Sequence, residues 1–447
     1  MNGKYQTHNT KKDYIKVRAR GIDGYIQPDQ MQPNRILEVN FIDVGQGDGC
    51  HVVTPDDKHY IIDAGPADNM YRFLKWRFNL KKASIAPPPF TIIVSHSDTD
   101  HYKGFNKIFS LTKGSKQQFT IEKIYHNGLV EMSGTPAGTL GTLVSKNGDD
   151  YITDLVDTNK QYNDRANSVG KAGTYISTLN KSKAPKESLR YGNKPIYNKN
   201  KLKIEVLGPV AKKINKKDAL PVFDSNKGKT KNGHSIILKL TFGNLRLLLG
   251  GDLNSPSEDY LLSEFTGIDL HQLKKELRKK GLSESKRKQL EKEIAEVIQK
   301  ARKHFEVDVA KSCHHGAADF TSEFMSALNP LATIVSSGDE EPHCHPRPDT
   351  LGTIGKHSRG IRSLIFSTEL ARSGKEFLDL TKIKSINKKK ERLITVYGMI
   401  NLRSDGEKVI IAQKLEKPAS GRNWDIHKLE WNKETKEFEY TQYDKYS

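Results

Sequence analysis

Residues Phe90–His101 read FTIIVSHSDTDH, and the two halves of that stretch carry different information. FTIIVS is a short run rich in β-branched and aromatic side chains, the composition of a strand covered on both faces. HSDTDH places His96, Asp98, Asp100 and His101 within six residues. Side chains alternate along a strand, so His96 and Asp98 can share a side as the strand ends. A turn into a helix then swings Asp100 and His101 toward a neighbouring point. Asp98 or Asp100 alone would serve as a helix N-cap. Four potential ligands in one turn exceed what capping requires, and two divalent cations a few ångströms apart are the natural use of such a cluster.

Working outward, Ile36–Gly65 reads ILEVNFIDVGQGDGCHVVTPDDKHYIIDAG, with β-branched runs flanking turn formers, which is hairpin chemistry. Met70–Leu80 carries Phe73, Leu74 and Phe78 at helical spacing, and Pro87-Pro88-Pro89 then breaks the chain before FTIIVS. Strand, helix and strand in that order predict an α/β layer architecture. Residues from about 110 to 200 are rich in Lys, Asn, Gly, Ser and Thr and read as a polar insertion. Lys201–Gly208, Ser235–Phe242 and Asn244–Gly250 read as paired strands, followed by a second insertion at about 255–306. Within it, residues 271–304 hold twelve lysines and arginines against five glutamates, and Gly281 and Ser283 divide them into a basic helical hairpin. That hairpin is either a solvated charged face or an arm over a nucleic-acid backbone. VDVAKS and LATIVSS supply further strands, and Tyr397–Leu402 with Lys408–Leu415, joined by Ser404-Asp405-Gly406, forms a hairpin. The resulting division is an N-terminal arm (1–35), a main domain (36–415) and a polar C-terminal tail (416–447).

Other ligand-type residues recur at predicted strand ends. His234 precedes a strand in NGHS, Asp252 ends LLLGGD, His314 and His315 follow VDVAKS in CHHG, and His345 lies in HCHPRPD. Singly each is weak, since a lone His is more often a hydrogen-bonded structural residue than a ligand. Jointly they fall where α/β sheets build sites, at the ends of strands.

The order of these motifs resembles the metallo-β-lactamase fold: Asp63 in IIDAG, then HSDTDH, Gly-His-Ser, Gly-Asp and a late His. FIDVGQGDG, HSDTDH, LLLGGD, HHG and the His345-Pro346 dipeptide are most similar to the branch found in the competence protein ComEC/Rec2. The resemblance spans roughly Ile36–Leu415 and implies a four-layer αββα fold with the two polar insertions. Carried onto this chain, it implies that His96, Asp98 and His234 hold a first metal. Asp100, His101 and His315 would hold a second, with Asp252 bridging. Asp63 would orient ligands, His314 would contact phosphate or support His315, and His345 would approach the substrate from the far side. Lys103 departs from the pattern, since two glycines commonly follow the motif, and it would place a cation beside the metals. The competence branch often lacks a histidine at the position of His234, and the membrane channel that accompanies that branch has no counterpart in this sequence.

The implied chemistry is hydrolysis by two divalent ions, Zn²⁺ from the His and carboxylate set or Mn²⁺ from the extra carboxylate. Such ions lower the pKa of a shared water from about 15.7 toward about 7 and stabilise the leaving oxygen. Cys313 and Cys344 adjoin the motifs without filling a ligand position. The chain has 447 residues, a formal net charge of +19 and 35% hydrophobic residues. That charge points to an anionic partner, and a phosphodiesterase or nuclease acting on DNA or RNA is the leading expectation. Alternatives are a hydrolase of a small phosphodiester such as a cyclic nucleotide, or of an ester or lactone, and a nucleic-acid-binding protein without catalysis. No stretch approaches the ~18 consecutive apolar residues of a membrane span. The lysine-rich start lacks the apolar core of a secretory signal. Three cysteines make no disulfide framework, so a cytoplasmic location is expected.

Overall fold

The computed structural model describes residues 8–11, 14–19, 22–28, 31, 35–80, 86–110, 119–130, 140–169, 174–338, 343–369, 398–419 and 422–443. Two large mixed sheets dominate it. The ten-stranded sheet runs Lys186–Ser188, Ile121–His126, Phe90–Ile93, His59–Ala64, Gly49–Val53, Leu37–Phe41, Ile400–Ser404, Lys408–Ala419, Arg422–Asn432 and Glu437–Tyr443. Its first four strands are parallel and the rest antiparallel. The seven-stranded sheet runs Tyr197–Lys199, Leu202–Gly208, Ile237–Phe242, Leu245–Leu249, Val309–Lys311, Ala332–Val335 and Leu364–Ser367. There the strands from Leu245–Leu249 onward are parallel.

The apolar runs explain why the sheets are covered on both faces. In Leu245–Leu249, Leu247 and Leu249 join a core shared by both sheets, whereas Leu248 turns outward to a different cluster. Phe90, Ile92 and Val94 likewise face away from the core that Ile93 enters. Alternation with a period of two therefore feeds two cores at once. The shared core unites Leu37, Val39 and Phe41 with Leu238, Leu240 and Ile334. Helices pack on the outside: Phe73 and Leu74 of Asn69–Arg77 and Phe105 of Phe105–Phe109 against the ten-stranded sheet, and Leu261, Val297, Phe305 and Phe324 against the seven-stranded one.

Several segments differ from expectation. The stretch at about 110–200 is not set apart from the main architecture: Ile121–His126 and Lys186–Ser188 complete the parallel end of the larger sheet. Tyr162, Tyr175 and Leu179 help cover that sheet, while Leu143–Lys146 and Asp149–Ile152 pair into a small sheet with Lys212–Ile214 and Lys217–Pro221. The segment read as a tail supplies two strands whose Leu429 and Phe438 lie in the shared core. The basic hairpin exists as Leu270–Leu277 and Glu284–Phe305, but it is not a free arm. Leu290, Ile294, Val297, Ala301 and Phe305 form one stripe of the long helix and are buried, leaving its lysines on the opposite face. His8–Lys11, Tyr14–Ala19 and Ile22–Ile26 form a separate three-stranded sheet. Part of Tyr397–Leu402, read as the first arm of the terminal hairpin, lies outside the described residues; its remainder is the strand Ile400–Ser404. No helix among the described residues is long and apolar enough to cross a membrane.

Glu258 ties two outer helices together: it lies in the first turn of Ser255–Thr266 and accepts from the backbone N–H of Thr321, the cap of Ser322–Leu328, at 2.6 Å. Burial pushes its carboxyl up to about 8 against the ordinary 4.5, the Thr321 bonds opposing the rise only partly. A carboxyl raised by folding stays protonated while the unfolded chain ionises, so its contribution is full below the ordinary value and falls as pH rises toward 8. Denaturant titrations across this window should show stability declining with pH, and Glu258→Gln should flatten the decline; parallel curves for the two proteins would contradict this. Phe305→Ala, in the buried stripe, should cost about 3–5 kcal/mol by the same measurement, whereas Lys288→Ala should change stability by less than about 0.5 kcal/mol.

Candidate metal centre

The centre is built at the C-terminal ends of parallel strands from both sheets. After Phe90–Ile93 the chain makes one loop and enters a single helical turn, Thr99–Tyr102, with Asp98 at its N-cap position. Two glycines let other chain segments approach this turn. A Cβ on Gly104 would lie 2.1 Å from the carbonyl oxygen of Ala64, and one on Gly47 would lie 2.1 Å from that of Asp100. Gly47 also has φ +126°, which side chains rarely tolerate. The loop carrying Gly47 is pinned to the second sheet by Ser336, whose hydroxyl donates to the Gly47 carbonyl at 2.9 Å.

Two histidines are each fixed through one nitrogen and aim the other inward. His101 Nδ1 donates to Asp63 Oδ2 at 2.8 Å, leaving Nε2 3.1 Å from Asp252 Oδ2 and 3.9 Å from Asp100 Oδ2. Asp63 is itself held by the Ser95 N–H at 2.8 Å and the Ser95 hydroxyl at 2.6 Å. His315 Nδ1 donates to the Ser336 carbonyl at 3.0 Å, leaving Nε2 3.1 Å from Asp252 Oδ2 and 3.5 Å from Asp100 Oδ2. One donor atom from each of Asp100, His101, Asp252 and His315 lies within 4.8 Å of all the others. Asp48, Asp63 and His101 form a second such group. A histidine whose outer nitrogen is bonded to a carboxylate or carbonyl is the usual form of a metal ligand.

The residues fit a cation on a further count. Nε2 of His96, Nε2 of His315, Oδ1 of Asp48 and Oδ1 of Asp252 are buried and have no hydrogen-bond partner among the described residues. Each such atom costs about 1–3 kcal/mol, and a cation among them would satisfy several at once. Charge agrees. Burial alone would lower the pKa of His101 and His315, but Asp252 with Asp63 and Asp100, and Asp252 with Asp48, hold the two imidazoles well above their ordinary value. Against its own burial, Asp252 is held well below the carboxylate range by both imidazoles. Lys311 sits beneath, buried, paired with Asp48 Oδ2, donating to the Gly251 carbonyl at 3.0 Å and 3.9 Å from Asp252 Oδ1.

The remaining sequence candidates spread outward. His96 lines the edge of the cluster, its ring 4.1 Å from that of His101 and its Nε2 3.8 Å from Asp98 Oδ2 and 4.0 Å from Asp252 Oδ2. Asp98 is ion-paired with Lys231. His234 does not join the group: its Nε2 donates to the Pro221 carbonyl at 2.7 Å and its ring stacks on Phe223, while the next residue, Ser235, turns its hydroxyl to His96 Nδ1. Lys103 does not reach the cluster either; it is exposed and begins the turn toward Phe105–Phe109. His314 and His315 both adopt left-handed backbone, φ 48° and 53°, which splays their side chains in different directions. His315 enters the cluster, whereas His314 lies beside it, and the ring of His345 stands 6.0 Å from His314 and 6.3 Å from His315. Sequence reasoning missed Asp48, Lys311 and Lys231. Asp48 lies inside FIDVGQGDG, where a carboxylate in a glycine-rich loop that hairpin chemistry does not need was the available signal. The two lysines carried none.

No family model matches the chain, and no curated protein matches it. Solved structures do resemble it. A metal-dependent hydrolase of the beta-lactamase superfamily has 11% identity and a TM-score of 0.32, with 74% of this chain and 95% of that one covered. A Parabacteroides distasonis protein described as a metal-dependent hydrolase has 13% identity and a TM-score of 0.31, covering 74% and 92%. Unliganded yeast PDE1 has 10% identity and a TM-score of 0.34, covering 74% and 97%. Likeness at this level carries nothing about what this chain does, and its site is read from its own geometry.

The surrounding carboxylates hold His101 and His315 well above the ordinary imidazole range, so protons compete with a cation for Nε2 of each. Affinity for Mn²⁺ or Zn²⁺, followed by calorimetry, should therefore weaken as pH falls from about 8 to 6. Asp63→Asn, which removes the anchor of His101 Nδ1, should weaken binding about 10–100-fold while leaving the fold intact; unchanged affinity would show that His101 is not a ligand.

Proposed function

We propose that this chain is a metal-dependent hydrolase that cleaves phosphodiester bonds in DNA or RNA, related to the competence-protein branch of the metallo-β-lactamase fold and sharing its four-layer αββα arrangement. The observation that carries this reading is the convergence of Asp100, His101, Asp252 and His315 from three distant segments on one point, with buried polar atoms left open toward it. Asp100, His101, Asp252 and His315 would hold a Zn²⁺ or Mn²⁺ ion, and His96 with Asp98 lies beside it where the resemblance implies a second metal. Such ions supply a nucleophilic water at neutral pH and a Lewis acid for the phosphoryl oxygen.

The chain's own residues do the rest. Asp63 accepts the Nδ1 proton of His101, which leaves Nε2 as the nitrogen that would give up its proton to a cation. The Ser336 carbonyl does the same for His315. Against burial, Lys311 holds the Asp48 carboxyl below the ordinary range from beneath the site, and the imidazoles of His101 and His315 do the same for Asp252. His314 and His345 stand beside the cluster rather than in it, the place for contacts to phosphate or to a departing oxygen. A polyanionic substrate suits a net charge of +19 and the exposed basic face of Glu284–Phe305. Three free cysteines, Cys50, Cys313 and Cys344, suit a cytoplasmic setting.

Digestion of circular and linear, single- and double-stranded substrates under a screen of divalent ions tests the proposal. His101→Ala and Asp100→Ala should each lower the rate by at least about 100-fold on every substrate. The hairpin belongs to the core, so its role is tested by charge reversal and not by deletion. Lys280→Glu with Lys286→Glu and Arg287→Glu should weaken cleavage of long DNA and reduce its salt dependence, and leave hydrolysis of bis-p-nitrophenyl phosphate unchanged. Hydrolysis of small diesters or esters alone, with no cleavage of polymer, would assign the site to a small substrate. Tight metal binding without hydrolysis would leave a binding protein.

A further inference from the structure

The resemblance to the metallo-β-lactamase pattern implies three side chains for a first metal position, His96, Asp98 and His234, yet the structure commits two of them elsewhere. His234 Nε2 donates to the Pro221 carbonyl. Both oxygens of Asp98 face the helix Lys227–Gly233: Lys231 Nζ pairs with Oδ1, and the Asn232 side-chain amide, once its nitrogen is assigned to the side that faces only acceptors, donates to Oδ2 at 2.9 Å and to the Gly228 carbonyl at 3.1 Å. Only His96 keeps an open atom, Nε2, facing Asp98 and Asp252.

The helix that delivers these donors is firmly placed. Asn226 caps it by accepting from the Lys229 N–H, and Asn254 donates to the Lys229 carbonyl at 2.8 Å. At its other end a Cβ on Gly233 would lie 2.7 Å from the ring of Phe223, so only glycine lets the helix close against that ring. The Lys231 side chain is 13% exposed, which sets its ammonium in a partly desolvated position. A fixed positive charge there contributes what a cation would and repels one that approaches.

We propose, resting on the metal-centre reading above, that Lys231 stands in for the second cation: the centre holds one ion tightly among Asp100, His101, Asp252 and His315, and the ammonium on Asp98 keeps the His96–Asp98 position from taking another. A lysine in this place presents to a phosphoryl oxygen a positive charge that a chelator cannot strip away. The tight site has four donors, and its nearest ammonium, Lys311, is paired with Asp48 and stays 3.9 Å from Asp252 Oδ1, whereas the neighbouring position has one open nitrogen and a carboxylate paired directly with Lys231.

The test titrates the full-length protein with MnCl2 alone, reading stoichiometry by calorimetry and metal analysis and ion–ion coupling by electron paramagnetic resonance. The wild type should bind one ion tightly and show the spectrum of an isolated Mn²⁺. Lys231→Met, close in size and without charge, should bind a second ion about 10–100-fold more tightly than the wild type does, with a spin-coupled spectrum. Lys231→Arg should keep the wild-type stoichiometry, and circular dichroism of each variant checks its folding. Two ions bound with equal affinity by the wild type, or a Lys231→Met protein that still binds one, would overturn the role of Lys231 while leaving the metal centre standing. A wild type that binds no ion, with His101→Ala indistinguishable from it, would overturn the metal centre and this proposal together.

Discussion

The carboxylates of Asp48, Asp63, Asp100 and Asp252 are packed into a small region where the ends of two sheets meet, and accommodating that negative charge is what the rest of the centre is organised around. Three of the four are buried. Leaving them uncompensated in the interior would be prohibitively costly. Lys311 answers Asp48 and Asp252 from below, the Ser95 N–H and hydroxyl answer Asp63, and two imidazoles answer Asp252 from above. What compensation remains falls to protons on the histidines or to a cation, and these compete for the same nitrogens. The site is thus a basin of potential whose occupant is set by chemistry outside the protein, while its walls are set by the fold.

Much of this arrangement was legible in the residues, for reasons that can be named. HSDTDH, LLLGGD and CHHG follow apolar runs whose alternation marks strands covered on both sides, so the ligand-type residues had to emerge at strand ends. IIDAG ends such a strand too, which placed Asp63. The strand Ile121–His126 and the last two strands were harder to read, because they lie toward the sheet's ends, where one face admits polar side chains and the apolar signal halves. The long helix Glu284–Phe305 misled for the opposite reason. Its charge is conspicuous, while the stripe that anchors it is only five side chains wide.

The finer disagreements turn on one residue of register. His234 and Ser235 are adjacent, and which of them faces the centre depends on how the helix Lys227–Gly233 ends against Phe223. No local pattern encodes that. The same helix carries Lys231 to Asp98, and the run KGKTKNG reads as solvated surface until the fold brings it to a carboxylate. Lysines are the residues whose partners are hardest to foresee, since a long flexible stem lets them serve either water or a distant charge.

The strand Leu37–Phe41 is flanked on one side by Gly49–Val53 and on the other by Ile400–Ser404. Its second neighbour is thus made some 360 residues later, as the pairing of Asn40 with Asn401 shows. During synthesis on the ribosome, the strand Leu37–Phe41 must wait with one edge unpaired until Ile400–Ser404 has emerged. A contact of such long sequence separation makes closure of the shared core a late and slow event. Closure of the core beneath the centre is correspondingly tied to a segment made after every residue that builds the centre.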